Sequence, residues 1–185
     1  MRPIFILQEE TLNGIFVMVD DIFRYLENTI ERRIKKAFGY LEEWISKYTY
    51  HVLNTETPEI EKLYKELEYD LRRQEWDFLV FLNKSALVKK EEHYYGYAYK
   101  RIVNGKVEFS RKAKGCFIAA KGLTEGELRN ITLHELGHYF GLKECDNPFC
   151  VMGPLFLNVD KDEILEAYCE KDHRLLIENM LRLYK

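Results

Sequence analysis

Residues 134–152 read His-Glu-Leu-Gly-His-Tyr-Phe-Gly-Leu-Lys-Glu-Cys-Asp-Asn-Pro-Phe-Cys-Val-Met, and no other stretch restricts the fold as much. On an α-helix His134 and His138 are i, i+4, so both imidazoles leave one face about a turn apart and can chelate one metal ion. Glu135 lies between them in sequence and can reach a water on that metal as general base. Upstream, Thr124-Glu125-Gly126-Glu127 has the pattern of a capping box, and Gly141 stands where a left-handed C-terminal turn is expected. A reversal at Gly141 would bring residue 144 back towards the histidines. Asp146-Asn147-Pro148 is a turn between Cys145 and Cys150, and Met152-Gly153-Pro154 makes another directly after.

Two sets of metal ligands are expected. The first is His134, His138 and Glu144, since two histidines and one carboxylate form a known catalytic zinc set. Glu144 carries negative charge, so the site should be less electrophilic than one built of three neutral imidazoles. Only His51, His93 and His173 remain as substitutes. The alternative is a solvated Glu144 and a weakly metallated centre. Cys145, Cys150 and Cys169 stand at metal-like spacing, and the family resemblance given below implies a second set of these three completed by Asp172 or His173. If the segment is helical, these two share a face with Cys169 at i+3 and i+4. Ligand chemistry favours His173, because imidazole is the commoner partner of thiolates. Against this stands the reading of three free thiols. Cys116, in the apolar run Cys116-Phe117-Ile118-Ala119-Ala120, reads as a buried strand residue.

The wider pattern resembles the archaemetzincins, a branch of the metzincin zinc metallopeptidases. His134, Glu135, His138, Gly141, Cys145, Cys150 and Met152 fall on that family's signature, and Cys169 follows at about the right distance. Beyond it, the resemblance covers the order of elements and a short segment at Tyr95-Gly96-Tyr97-Ala98. Glu144 stands where the family has a third histidine, and Asp172 where it has a fourth cysteine, so alignment favours Asp172 in the second set. The resemblance implies an α+β fold: a metzincin-like mixed sheet, an active-site helix behind it, and a small C-terminal helical subdomain stapled by zinc. It implies two zinc ions per chain, one catalytic and one structural, with Met152 as an apolar floor beneath the first. It also implies peptide-bond hydrolysis through a zinc-bound water with Glu135 as base, and allows an aminopeptidase. An edge strand would pair with extended substrate, from either the Tyr94–Tyr99 stretch or the Cys116–Ala120 strand. The competing reading is a zinc-stabilised binding module with a degraded peptidase centre.

The rest of the chain suits one domain over residues 1–185, with an upper part to residue 141 and a lower part from 142. A net charge of −3 gives no electrostatic reason to expect nucleic acid. The start, with its short apolar run Ile4–Leu7, does not read as a signal peptide, and no stretch is apolar enough to span a membrane. Cysteines at metal-like spacing then favour a cytoplasmic chain with thiolate ligands, expected to be a monomer acting on peptides.

Periodicity supplies the remaining elements. Strands are expected at Ile4–Leu7, Tyr48–Leu53, Phe78–Leu82 and Cys116–Ala120. One helix follows the stripe Ile15, Val19, Ile22, Leu26, Ile30, Ile34, Ala37, Leu41, weakening at Gly39. A second starts with Thr57 as N-cap and Pro58 in the first helical position. Asn104-Gly105 should turn a hairpin between Tyr97–Val103 and Lys106–Ser110. Residues 160–185 should be mostly helical, with Leu176, Met180 and Leu183 on one face.

Overall fold

A computed structural model of the chain describes residues 4–9, 12, 15–38, 48–53, 55, 57–74, 76–154 and 168–183. Strand β1 (Ile4–Glu9), helix α1 (Ile15–Phe38), β2 (Tyr48–Leu53), helix α2 (Ile60–Gln74) and β3 (Asp77–Leu82) open the chain. Five short strands follow: β4 (Leu87–Lys89), β5 (Glu92–Tyr94), β6 (Gly96–Tyr99), β7 (Ile102–Val103) and β8 (Lys106–Val107). Then come β9 (Gly115–Ala119), helix α3 (Glu125–Tyr139) and helix α4 (Glu170–Arg182). The main sheet has the order β2-β1-β3-β9-β6. Its first four strands are parallel, and β6 runs antiparallel to β9 along one edge.

Strand alternation divides the sheet into two apolar faces. Leu79, Phe81, Cys116 and Ile118 point into the core that holds Val19, Ile22 and Leu26 of α1, Leu133 and Leu136 of α3, and Leu176 and Met180 of α4. Phe78, Val80, Phe117 and Ala119 point the other way, onto Ile60 and Leu63 of α2. Cys116 is fully buried, as its apolar run suggests. The first core takes residues from both sides of Gly141.

Several elements depart from the sequence reading. The helix α2 starts at Ile60, because Thr57 Oγ1 accepts from the Glu59 amide and the Pro58 carbonyl bonds to Val88 instead of the helix. The Asn104-Gly105 turn is present, with φ of 50° and 71°, but its arms are only two residues each. The residues expected to extend one arm, Tyr97–Tyr99, are drawn away to pair with β9. The β4–β5 hairpin was not expected: its turn, Lys90-Glu91, has φ of 50° and 71° without a glycine or asparagine to announce it. Strand β9 lies between β3 and β6 and so is not an edge as expected of a substrate-pairing strand; the edges of the described sheet are β2 and β6. Gly39, Leu41 and residues 160–167 lie outside the described residues.

One buried charge cluster ties the end of α3 to the sheet. Asp77, at the start of β3, accepts from Arg101 Nη2 at 2.5 Å and Nε at 3.1 Å, from the Tyr139 hydroxyl at 2.6 Å, and from the Lys114 amide at 3.0 Å. The Arg101 amide donates to the Tyr139 carbonyl at 2.9 Å. Asp77, Arg101 and Tyr139 are all buried, so the two charges persist only because each is paired. Replacing Asp77 by alanine leaves the Arg101 guanidinium buried without a countercharge. The expected cost is about 3–5 kcal/mol, read from the urea midpoint.

Burial, and then the Asp77 charge, pushes the Tyr139 phenol well above its ordinary value. A raised acid in the folded state contributes stability that is complete below the unfolded value of about 10 and is lost as pH climbs towards the folded one. Chemical denaturation followed from pH 9 upward should therefore show stability falling above pH about 10. Tyr139→Phe should make that fall shallower.

Candidate metal centres

The helix that carries both histidines is fixed at each end. At its start the Thr124 hydroxyl accepts from the Glu127 amide while the Glu127 carboxylate accepts from the Thr124 amide, completing the capping box. At its end Gly141 adopts φ +86°, its amide donating to the His138 carbonyl, and the Leu142 amide reaches the Gly137 carbonyl, both at 2.9 Å. These are the two hydrogen bonds of a Schellman turn, and they reverse the chain towards the metal-facing side of the helix. A Cβ at Gly141 would also lie 2.8 Å from the Ile102 carbonyl oxygen.

The reversal brings three side chains to one point. His134, His138 and Glu144 each offer a ligand atom, all within 4.8 Å of one another. Glu144 Oε1 is 3.0 Å from His138 Nε2 and 3.7 Å from His134 Nε2. Ligands held at about 2.0–2.1 Å in a tetrahedron lie roughly 3.3 Å apart, so these separations suit a zinc ion. Each imidazole is oriented by a backbone carbonyl. His134 Nδ1 donates to Val151 O at 2.8 Å, and His138 Nδ1 donates to Leu142 O at 3.1 Å. A carbonyl can only accept, so the Nδ1 proton is fixed and Nε2 is left to face the centre. Burial lowers the His134 pKa, which keeps the imidazole neutral and able to ligate.

Glu135, the base expected from the motif, is buried at 7% exposure and lies against β6. Burial, and next the charge of Glu144, push its carboxyl up to about 8, opposed only in part by Lys100. A divalent cation beside it would draw that value down again.

A second cluster lies on the other side of the 142–153 loop. Cys145, Cys150, Cys169 and Asp172 place four ligand atoms within 4.8 Å of one another. Cys145 Sγ and Cys169 Sγ are 3.8 Å apart; Asp172 Oδ2 is 3.2 Å from Cys150 Sγ and 3.4 Å from Cys169 Sγ. Tetrahedral zinc with bonds of about 2.3 Å to sulfur and 2.0 Å to oxygen calls for roughly 3.8 Å and 3.5 Å. The Cys169 amide donates to Cys150 Sγ at 3.3 Å, a contact that suits a thiolate. Burial raises the pKa of Cys145 and Cys150 while no cation is present. All four cysteines of the chain are free thiols.

The structure brings Asp172 to the three sulfurs and leaves His173 outside the group. Cys169 is the N-cap of α4, with ψ 162°, and not a helical residue, so the expected shared helical face does not exist. A side chain at the N-cap instead meets the one three residues on, the contact a capping box uses, and here that residue is Asp172.

Known proteins carry related sequences and folds. No family model matches the chain. An archaemetzincin from Pyrococcus abyssi is 48% identical over 52 residues, 28% of either protein, and one from Pyrococcus horikoshii is 44% identical over 62 residues, 34% of this chain and 32% of that one. The matched stretch thus spans less than a third of these relatives. Among solved structures, an archaemetzincin from Methanopyrus kandleri aligns over 98% of this chain and 97% of its own, with a TM-score of 0.54 and 17% identity. A zinc-dependent peptidase from Methanocorpusculum labreanum aligns over 94% of this chain and 99% of its own, with a TM-score of 0.57 and 16% identity. The chain is thus similar to archaemetzincins in one short stretch of sequence and in its fold.

Some features of the site carry little sequence signal. The carbonyls of Val151 and Leu142 that orient the histidines belong to the backbone and leave no residue signature. Gly137 does leave one, since glycine inside a helix disfavours it by about 1 kcal/mol relative to alanine. Its reason is Met152: a Cβ at Gly137 would lie 2.4 Å from the Met152 sulfur and 3.2 Å from a ring carbon of Tyr168. Met152 is fully buried against the turn of helix between the two histidines. Gly137→Ala should therefore destabilise the chain by about 1–3 kcal/mol through overpacking. In urea denaturation, Met152→Ala added to it should cost much less than the sum of the single changes.

Proposed function

We propose that the chain is a zinc-dependent metallopeptidase, with His134, His138 and Glu144 as ligands of a catalytic zinc. Cys145, Cys150, Cys169 and Asp172 would hold a structural zinc, giving two ions per chain. The observation that carries this reading is the convergence of two Nε2 atoms and a carboxylate on one point, with the buried Glu135 carboxyl next to them in sequence. The archaemetzincin relatives and the neighbouring zinc-dependent peptidase support it. Zinc at this set supplies a Lewis acid that polarises a substrate carbonyl and acidifies water.

The chain's own residues do the rest. Glu135 takes a proton from the attacking water and passes it to the leaving amine. The Val151 and Leu142 carbonyls hold the two imidazoles in the tautomer that can ligate. Strand β6, an edge of the sheet among the described residues, would offer backbone groups to an extended peptide lying antiparallel or parallel to it. We read residues 1–185 as one domain acting as a monomer, with no nucleic-acid or membrane partner. Among the described residues no helix is long and apolar enough to cross a membrane. Thiol ligands need a reducing compartment, which favours the cytoplasm.

The competing reading, a zinc-stabilised binding module, draws on one observation: the Glu144 side chain is 70% exposed, so water competes with the metal for it. Two measurements separate the readings. Elemental analysis of untagged protein should find about two zinc per chain, falling to about one in a His134→Ala/His138→Ala variant. Glu135→Gln should lower hydrolysis of a peptide library by at least about 10²-fold with zinc content unchanged. Unaltered hydrolysis in that variant would remove Glu135 from the mechanism. A single zinc that survives loss of both histidines would favour the binding module.

A further inference from the structure

We propose that Gly96, in the edge strand β6, is a positioning residue that sets where the Glu135 carboxylate stands; its effect on turnover rests on the peptidase reading. A Cβ built at Gly96 would lie 2.5 Å from Glu135 Cγ, 2.6 Å from Oε1 and 2.8 Å from Cδ. Its three nearest neighbours are all atoms of that one side chain. Gly96 has ordinary strand geometry and is absent from the positive-φ residues, so the backbone does not call for glycine there. What the position calls for is the missing side chain.

The strand is patterned for this. Along Gly96-Tyr97-Ala98-Tyr99, small and large residues alternate. Ala98 packs with the core on the α3 side, whereas Tyr97 and Tyr99 pack with the core on the α2 side. Period two puts Gly96 on the same face as Ala98, towards α3. Glu135 is buried, and the atoms nearest the bare face of Gly96 are its own Cγ, Oε1 and Cδ. Its position is therefore set by steric walls: its own helix on one side and the bare backbone of β6 on the other. A methyl group at residue 96 meets the end of a flexible side chain, which can rotate away. The fold tolerates that shift, but a general base must stay within hydrogen-bond reach of the proton it takes. Misplacement by about 1 Å costs on the order of 10²-fold in rate.

Gly96→Ala should lower kcat on a peptide substrate by about 10²-fold, with KM within about twofold and zinc per chain unchanged. In a Glu135→Gln background the same change should cost nothing further, because the group it displaces no longer acts. A merely structural glycine would cost activity equally in both backgrounds.

Thermal melts of four chains test the contact without turnover. Alanine suits a strand better than glycine, so Gly96→Ala should raise Tm by about 2 °C or more when added to Glu135→Ala, where the methyl has room. It should fail to do so when Glu135 is present. Equal Tm changes in the two backgrounds, or an active enzyme whose kcat ignores Gly96→Ala, would overturn the assignment. If the wild-type chain hydrolyses nothing, the peptidase reading fails, and the melts alone decide whether Gly96 shapes the seat of Glu135.

Discussion

The hydrogen bond from His134 Nδ1 to the Val151 carbonyl joins the two halves of the site, and the surrounding architecture serves to make it. A helix can present two imidazoles on one face, but it cannot by itself decide which nitrogen faces a metal. A carbonyl at the far ring nitrogen decides it, and that carbonyl must come from another segment. Here it comes from a loop that leaves the same helix at Gly141 and returns beneath it. The loop is closed on itself by the Cys145 amide donating to the Met152 carbonyl at 2.8 Å and by the Gly153 amide donating to the Cys150 carbonyl at 2.7 Å. The residue before Val151 is Cys150, and the residue after Glu144 is Cys145. The cysteine cluster therefore grips the loop immediately next to the two groups that complete the histidine centre. A tetrahedral site there would fix the loop with few residues.

The other end of the same helix depends on a different device. Tyr139 is the last helical residue, and its hydroxyl and carbonyl are both engaged by the Asp77–Arg101 cluster. Asn179 of α4 adds a hydrogen bond to the Phe140 carbonyl at 2.9 Å. The C-terminus of α3 is thereby tied to the start of β3, to the segment before the β7–β8 hairpin, and to α4. Buried ion pairs add little net stability compared with an apolar core, but they do fix geometry, since each member becomes costly once its partner moves. Geometry is what a metal-binding helix end needs.

These devices differ in how far they could be read from residue order. The His134/Glu135/His138 spacing, the capping box at Thr124 and the turn at Gly141 are local, so their meaning is contained in a few neighbouring residues. Strands β1, β3 and β9 were legible as short, continuous apolar runs, and β2 from its β-branched and aromatic residues. The β4–β5 hairpin was not, since Lys90-Glu91 adopts left-handed geometry that only tertiary packing explains. Asp77, Arg101 and Tyr139 are far apart in the chain, and nothing in the neighbourhood of any one indicates the others. Between Asp172 and His173, ligand preference pointed to the histidine. The structure favours the aspartate because Cys169 caps the helix and does not belong to it. Gly96 was visible only as part of a short family resemblance, and its neighbour across space, Glu135, is 39 positions away by the numbering.

Glu144 remains the residue that distinguishes this centre chemically. With two neutral imidazoles, a dication balanced by Glu144 and an ionised Glu135 is formally neutral, whereas a third imidazole in place of Glu144 would leave a net positive charge. The two carboxylates already sense one another, since the Glu144 charge helps to push Glu135 upwards. On the peptidase reading proposed above, a neutral centre would attract electron density from a carbonyl less strongly, and more of the work of hydrolysis would fall on proton transfer by Glu135. Proton transfer is the step most sensitive to distance. On that reading the carboxylate at residue 144 and the bare backbone at residue 96 would belong together: the weaker the Lewis acid, the more closely the base must be held.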